Sequence, residues 1–209
     1  MKAGDHYSGP GASVLGVRLT GVPQMAIWIE DSNGNYIETL YITKASSNGS
    51  YSAGIFSTEE VRRPEALPHW AFSRGVRSDD GSMMPSTAQP LADAITGATP
   101  LSSFDLKTKT TMLKGDVVVK LEINRSYDFN GHYHKQAFPD DLIYSGDGSS
   151  AQPALVYATT VNFDDETQHY FMHLLGHSHH SGQNGELYTD LSGFTTAKEM
   201  VKRVIVEVN

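Results

Sequence analysis

The stretch DVVVKLEINRS, residues 116–126, decides the fold prediction because its apolar residues recur at every second position. One parity carries Val117, Val119, Leu121 and Ile123, and the other carries Val118, Lys120, Glu122 and Asn124. Side chains alternate between the two faces of a β-strand, so this pattern is typical of a strand with one buried and one solvated face. The sequence predicts a half-buried strand here.

Similar signals occur along the rest of the chain. QMAIWIED (24–31) and YIETLYIT (36–43) flank the dipeptide Asn33-Gly34, a combination that predicts a β-hairpin. Further strands are predicted at 104–111, 155–163, 168–175 and 203–208. Two short helices are predicted, one after Thr58 that Pro64 and Pro68 limit to one or two turns, and one at 196–199, where Thr196 and Glu199 resemble a capping box.

These elements amount to seven to nine short strands with little helix, many Gly and Pro turns and no internal repeat. Such a pattern favours an all-β fold, a two-layer β-sandwich in which sequential hairpins pair antiparallel. At 209 residues we expect one domain over residues 1–209, with an irregular excursion at about 75–100.

Composition excludes several classes of function. Sixteen Lys and Arg against 24 Asp and Glu give a net charge of -8, and no basic run is present, so a nucleic-acid partner is not expected. There is no nucleophile elbow, Walker loop or dinucleotide-binding glycine run. The sequence therefore favours a carrier or binding module over a turnover enzyme.

Membrane and redox signals are sparse. No stretch of about 18 apolar residues predicts a transmembrane segment, and the first residues, MKAGDHYSG, lack the apolar region of a signal peptide. With no cysteine, disulfides, thiolate zinc sites and thiol nucleophiles are excluded.

One short run resembles a motif with known chemistry. DAITGATP (93–100) fits D-x-x-[ST]-G-A-T, the acceptor motif of proteins that carry FMN covalently, in which a flavin transferase joins the flavin phosphate to the last threonine. The resemblance implies that Thr99 is the attachment point and that Asp93, Thr96, Gly97 and Ala98 form the rest of the cofactor-binding motif. The FMN-carrying domain known for this motif is a mixed α/β module, which the chain matches over these residues alone.

The same run also has a purely structural interpretation. Thr-Gly-Ala-Thr-Pro is typical of a turn, with Gly97 free to adopt positive φ and Pro100 favouring an extended Thr99. Aromatic residues available to stack on a flavin would be Trp28, Trp70 or Tyr133.

Five of the nine histidines lie between residues 169 and 180. In a strand, His169 and His173 lie roughly 13 Å apart, too far to share an ion. The two His-x-His pairs are better candidates, and four imidazoles would suit zinc or copper: His132, His134, His177 and His179. Alternatively, His177 or His132 could transfer protons if oriented by Asp190, Asp128 or Glu186, or the histidines could line an ordinary polar surface.

Several separated blocks resemble a known family in the same order. They are PQMAIWIED, RRPEALPHW, DAITGATP, LEINRSYDFN and GHSHHSG followed by GELYTDLSG. Over nearly its whole length the chain resembles the predicted periplasmic proteins called domain of unknown function 2271. The resemblance implies an exported bacterial protein with an immunoglobulin-like sandwich, and an association with flavin transferases and membrane redox proteins as partners.

Three functions follow as expectations. The first is a flavin-linked extracytoplasmic electron-transfer component with FMN on Thr99. The second is a non-enzymatic module that binds a metal or small ligand through the histidine cluster. The third is a structural or interaction domain, because sandwich folds host many unrelated roles.

Overall fold

The computed structural model describes residues 1–8, 13–14, 17–18, 21–52, 59–91, 95–110, 114–146, 149–166 and 168–208. The strands are β1 (Lys2–Ala3), β2 (Ser13–Val14), β3 (Val17–Arg18), β4 (Gln24–Asp31), β5 (Tyr36–Thr43), β6 (Tyr51–Ser52), β7 (Glu60–Val61), β8 (Ile95–Gly97), β9 (Asp116–Asn124), β10 (Leu155–Asn162), β11 (His169–Phe171), β12 (His173–His177), β13 (Val201–Arg203) and β14 (Ile205–Glu207). The helices are α1 (Lys44–Asn48), α2 (Pro68–Ser73), α3 (Leu142–Gly146) and a 3-10 helix (Thr196–Glu199). The prediction of a mostly β protein with few short helices is confirmed.

A six-stranded sheet in the order β12-β10-β9-β4-β5-β8 forms the centre of the fold. Four smaller ladders pair β1 with β13, β11 with β14, β2 with β3 and β6 with β7. Among the described strands every pair is antiparallel except β5–β8, which is parallel. The prediction of purely antiparallel pairing is therefore wrong at this edge, because a long connection after β5 returns the chain beside it in the same direction.

The β4–β5 hairpin is confirmed, and its turn has a clear cause. The Oδ1 atom of Asp31 accepts hydrogen bonds from the backbone N–H groups of Asn33 and Asn35, both at 2.8 Å. Gly34 adopts a φ of 85° between them, a conformation that glycine adopts without steric cost. The local sequence thus closes this turn by itself.

One face of the central sheet is apolar, as the β9 pattern predicts. Val117, Val119, Leu121 and Ile123 are buried in a cluster with residues from the C-terminal segment, among them Met200. Inward side chains of β11 and β14 pack against the same cluster. The chain from 169 to 177 pairs first with β14 and then with β10, so it connects the smaller ladder to the central sheet.

The opposite face was expected to be solvated, and it is partly covered. Helix α2 packs over it, burying Trp28 and Trp70 completely together with Glu122. The half-buried interpretation of β9 therefore holds only in part, because Val118, Lys120 and Asn124 are partly exposed whereas Glu122 is completely buried. The polar residues of an alternating strand face solvent only when no other segment covers them and supplies their hydrogen-bond partners.

Two local predictions also differ from the structure. Residues 104–110 form no strand; the Phe104 N–H donates to the Met1 carbonyl, and the ring packs against the apolar cluster. The helix predicted after Thr58 is α2, and it begins only at Pro68. A proline is tolerated at the first helical position because it lacks only an N–H that the helix does not use. Thr58 and Thr111 lie outside the described residues.

The predicted capping box near the C-terminus is also absent. Residues 196–199 form a 3-10 helix whose preceding residue makes no side-chain cap. The Thr196 hydroxyl instead donates to Asp128, a buried carboxylate that is paired with the buried guanidinium of Arg125. The 3-10 helix is thus attached to the fold through a buried ion pair. The expected final strand follows as β13 and β14, with Val204 buried between them.

Candidate functional site

The described part of the FMN-attachment motif begins in β8, at the edge of the central sheet. β8 pairs with β5 so that Thr96 lies opposite Ile42 and Gly97 opposite Thr43. Gly97 is not among the glycines with positive φ, so the prediction that it forms a turn is wrong. A Cβ atom at Gly97 would lie 3.2 Å from the Tyr41 ring, so the glycine serves close packing. Asp93 lies outside the described residues.

Two tyrosines hold the chain on either side of Thr99. The Tyr41 hydroxyl donates to the Ala98 carbonyl at 3.2 Å, and the Tyr7 hydroxyl donates to the Pro100 carbonyl at 2.8 Å. Burial raises the pKa of both phenols above the ordinary value, so both remain protonated donors at neutral pH. Residues 98–100 are thus tied to the core through their backbone.

The Thr99 side chain itself is not used by the fold. It is partly exposed, and its hydroxyl makes no hydrogen bond to any residue in the described part of the chain. Thr96 and Ala98 are exposed as well, and Leu101 beyond them is 74% exposed. A threonine that is partly exposed, with a hydroxyl that the fold leaves unpaired on a fixed backbone, suits esterification by an external enzyme.

The aromatic residues suggested as stacking partners for a flavin do not serve that purpose. Trp28 and Trp70 are completely buried, and Tyr133 is 6% exposed. The exposed apolar side chains here are Ile95 within the motif and Leu101 directly after it. The residues present therefore fit the attachment of a flavin phosphate, while the ring would meet an aliphatic surface.

The second predicted site includes the last residue of β12, His177, and the residues that follow it. His177 donates through Nδ1 to the Ser178 carbonyl at 2.8 Å, which leaves its Nε2 unprotonated in the neutral ring. His179 accepts the Ser181 N–H at its Nδ1. Both rings pack against Tyr188, with centroid distances of 5.4 Å and 5.9 Å. Burial lowers the pKa of both imidazoles, so they are neutral at pH 7.

His132 approaches the same region from another loop. Its ring lies against Gly193 and packs edge-on to Tyr133, at a centroid distance of 4.7 Å. The Ser192 N–H lowers the pKa of Asp190 most, and the nearby imidazoles of His177 and His132 lower it further. The structure thus brings both histidines close to Asp190, one of the three carboxylates considered as an orienting group.

Glu186 also belongs to this region, because it binds Tyr188, whereas His134 and Asp128 contact other residues. His134 is exposed and accepts the Gln136 N–H at 3.3 Å. Asp128 is paired with Arg125, and the Glu186 carboxylate accepts from the Tyr188 hydroxyl. Within the residues that the structure describes, no group of three or more His, Asp or Glu side chains could hold a metal ion. The four-histidine metal site stays a prediction.

His180 has the most constrained environment of this region, although the spacing argument left it out. Its ring stacks on Phe138 at 3.7 Å and 9°, and its Nε2 donates to Asp141 at 3.1 Å. Asp141 also accepts the backbone N–H groups of Ile143 and Tyr144 at the start of α3. The paired histidines in GHSHHSG were the available signal, but their partners come from residues 138–144.

A buried polar network beneath α2 was not predicted at all. Both carboxylate oxygens of Glu122 are used: one accepts from the His69 N–H and the Ser178 hydroxyl, and the other accepts from the Trp70 N–H at 2.7 Å. Burial raises the pKa of Glu122 to about 7, against the opposing effect of these donors. The carboxylate thereby connects β9, α2 and the loop after β12.

Lys120 extends this network towards β4. Its Nζ lies 2.7 Å from Glu30 and donates to His69 Nε2 at 3.2 Å. His69 in turn donates through Nδ1 to the Gly185 carbonyl at 2.7 Å. Because its members satisfy one another and are largely buried, the network fixes α2 and the 178–185 loop to the sheet.

Comparisons of this chain with known proteins found no match. No protein family model matches it, and neither a curated protein nor a solved structure is detectably similar to it. None of the helices in the described ranges is long and apolar enough to cross a membrane.

Proposed function

We propose that this protein is an extracytoplasmic electron-transfer component that carries FMN esterified to Thr99. The observation that carries the proposal is the partly exposed Thr99, whose hydroxyl has no partner in the described part of the chain and which follows the motif residues Thr96, Gly97 and Ala98. The flavin would supply the redox chemistry, and the chain would tether it. Turnover of a substrate would belong to a partner protein.

The attachment needs an activated donor, because FMN itself has no good leaving group on phosphorus. With a flavin dinucleotide such as FAD, the Thr99 oxygen forms a bond to the flavin-side phosphorus and the bond between the two phosphates breaks. AMP leaves with the electron pair of that bond, and the hydroxyl proton passes to solvent or to a base of the transferase. The Tyr7 and Tyr41 hydrogen bonds support this step by keeping residues 98–100 in one position.

The resemblance to domain of unknown function 2271 agrees with this proposal. As that resemblance implies, we further propose a periplasmic location, a flavin transferase and a membrane redox protein as partners, and an immunoglobulin-like arrangement of the strands. The negative net charge of -8 gives no support to a nucleic-acid partner.

Co-expression with a flavin transferase and FAD supply tests the proposal. We expect a yellow protein whose intact mass increases by one FMN less one water. Thr99→Ser keeps a hydroxyl and should still be labelled, whereas Thr99→Val should stay colourless. Thr160→Ala removes an exposed threonine hydroxyl outside the motif and is the matched control. An unmodified mass for the wild type, in cells where the transferase labels an established carrier, would contradict the proposal.

The approach of His132 and His177 to Asp190 favours a second candidate, a module that binds zinc, copper or a small ligand. Calorimetry with zinc and with copper tests it on the purified chain. His177→Ala combined with His179→Ala should reduce affinity, while His169→Ala, an exposed histidine on β11, should not. Unchanged affinity in the double variant would exclude these two ligands.

A further inference from the structure

A small cavity lies where the first residue of β4 meets the last residue of β9. Gln24 and Asn124, which are register partners in these two strands, both line it. Ser126, Arg63 and Glu65 contribute further polar side chains to the lining. None of the lining residues belongs to the FMN-attachment motif or to the four candidate histidines, so neither proposed function uses this cavity.

Buried residues form much of the cavity wall. The 150–153 segment is buried, and so are Arg63 and Glu65. The Ser150 hydroxyl donates to the Glu65 carboxylate at 3.1 Å, and Arg63 donates to the Ser126 hydroxyl at 3.0 Å. These bonds join the segment before α2 to the chain on both sides of the 127–149 connection. The cavity is therefore bounded by side chains that the fold holds in place.

The size of the cavity suits a single water molecule. It offers about 20 Å³ to the centre of a water. One water needs roughly 10–15 Å³ of such space, whereas benzene needs a cavity of about 150 Å³. Organic ligands are therefore too large for this site.

Gln24 supplies hydrogen-bond donors whose direction is fixed. Its Oε1 accepts from the Thr43 hydroxyl at 2.7 Å and from the Ser46 hydroxyl at 3.2 Å. The NH₂ group must therefore point away from these two residues, and it has no partner within the described ranges. Because Gln24 lines the cavity, this NH₂ is available to an occupant.

Asn124 and Ser126 complete the set of partners. The Asn124 NH₂ donates to the Glu65 carbonyl at 3.4 Å, so its Oδ1 is an acceptor with no partner in the described part of the chain. The Ser126 hydroxyl accepts from Arg63 and still has a proton to donate. Two donors and one acceptor match a water molecule, since buried waters typically make about three hydrogen bonds.

The charges in the lining argue against an ion. A cation in the cavity would meet the guanidinium of Arg63, and an anion would meet the carboxylate of Glu65. Neither sign of charge is favoured where both groups are buried side by side in one wall. A neutral occupant that can both donate and accept hydrogen bonds fits the lining.

From these observations we infer that the cavity binds one ordered water molecule. The water accepts hydrogen bonds from the Gln24 NH₂ and the Ser126 hydroxyl, and it donates one to the Asn124 Oδ1. Gln24 and Asn124 are the last pair of the β4–β9 ladder, so the water continues the pairing of the two strands into the segment after β9. Its binding is independent of any flavin on Thr99.

Magnetic relaxation dispersion of water ¹⁷O tests the site in solution, because it counts the long-lived internal waters of the full chain. Asn124→Leu keeps a side chain of similar size but removes the acceptor, so the count should fall by one. Gln24→Met removes the donor at similar length and should give the same loss. Gln136→Met, at an exposed glutamine outside the cavity, should keep the wild-type count. An unchanged count in both Asn124→Leu and Gln24→Met would overturn the inference.

A high-resolution crystal structure of the wild type locates the water directly. We expect one density peak within about 2.7–3.2 Å of Gln24 Nε2, Asn124 Oδ1 and Ser126 Oγ. Xenon gas under pressure provides the opposite probe, because cavities that stay dry are apolar and bind xenon. Xenon density in place of the water, or a cavity without any density, would contradict the inference.

Discussion

Glu122 is completely buried between the sheet and α2, and its ionisation makes stability depend on pH. Burial raises its pKa from 4.5 to about 7, so the native state binds the proton more tightly than the unfolded chain does. Its contribution is therefore fully present below pH 4.5 and is lost as the pH rises to about 7. That gap corresponds to about 3 kcal/mol of unfolding free energy.

Glu122→Gln should remove this dependence because an amide carries no charge at any pH. The variant will lose some stability at all pH values, since the Gln NH₂ cannot accept a hydrogen bond from the Trp70 N–H. Between pH 4.5 and 7.5, however, its unfolding free energy should change by about 3 kcal/mol less than that of wild type. Urea unfolding at several pH values measures the difference. Glu60→Gln, at an exposed glutamate, should keep the wild-type slope. An unchanged slope in Glu122→Gln would exclude the buried carboxylate as its source.

The same residue shows what alternation in a sequence can predict. The pattern correctly assigns Glu122 and Lys120 to one face, but solvent was the wrong environment for Glu122. Their partners are His69, Trp70 and Ser178, which are more than 50 residues away in sequence. Gly97 is a similar case, because its close contact is with Tyr41 and no local signal distinguishes that contact from a turn.

At the scale of elements, the 178–185 loop and α2 are fitted to each other through a glycine. A Cβ atom on Gly185 would lie 2.3 Å from the Phe72 Cβ, and the Gly185 carbonyl accepts from His69. Gly185→Ala must therefore push the loop away from the helix. We expect a loss of about 1–3 kcal/mol in unfolding free energy, measured by urea denaturation.

Gly131→Ala is the matched control for that substitution. Gly131 has no atom within 4 Å of the position that a Cβ would take, and its φ is not positive. The unfolding free energy of Gly131→Ala should stay within about 0.5 kcal/mol of wild type. Equal losses in the two variants would mean that the Phe72 contact does not determine how the loop docks.

The element boundaries illustrate why some strands were predicted and others were not. The β4–β5 hairpin has its turn, its alternation and its partner within 20 residues, so the local sequence suffices. The 104–110 segment has alternating apolar residues, but these pack on the core without a neighbouring strand. Periodicity reports which side chains are buried, and it does not report whether a backbone ladder exists.

For the whole molecule, the central feature is one sheet shared by two apolar clusters. β4 contributes Met25 and Ile27 to the first cluster, and Ala26 and Trp28 to the second. Neither cluster can lose its packing without removing the support of the other. We therefore expect both faces to unfold as one cooperative unit, in agreement with the prediction of a single domain.

Leu121→Ala tests this cooperativity from the face opposite the tryptophans. Leu121 is completely buried in the first cluster, whereas Trp28 and Trp70, the two tryptophans of the chain, both lie in the second. The variant should lose about 2–5 kcal/mol, and its tryptophan fluorescence and far-ultraviolet circular dichroism transitions should move together to lower urea. Leu175→Ala, the same change at a 41% exposed position, should cost less than about 1 kcal/mol. If the fluorescence midpoint stayed at the wild-type urea concentration while the dichroism midpoint moved, the two faces would unfold separately. The sheet would then not couple them.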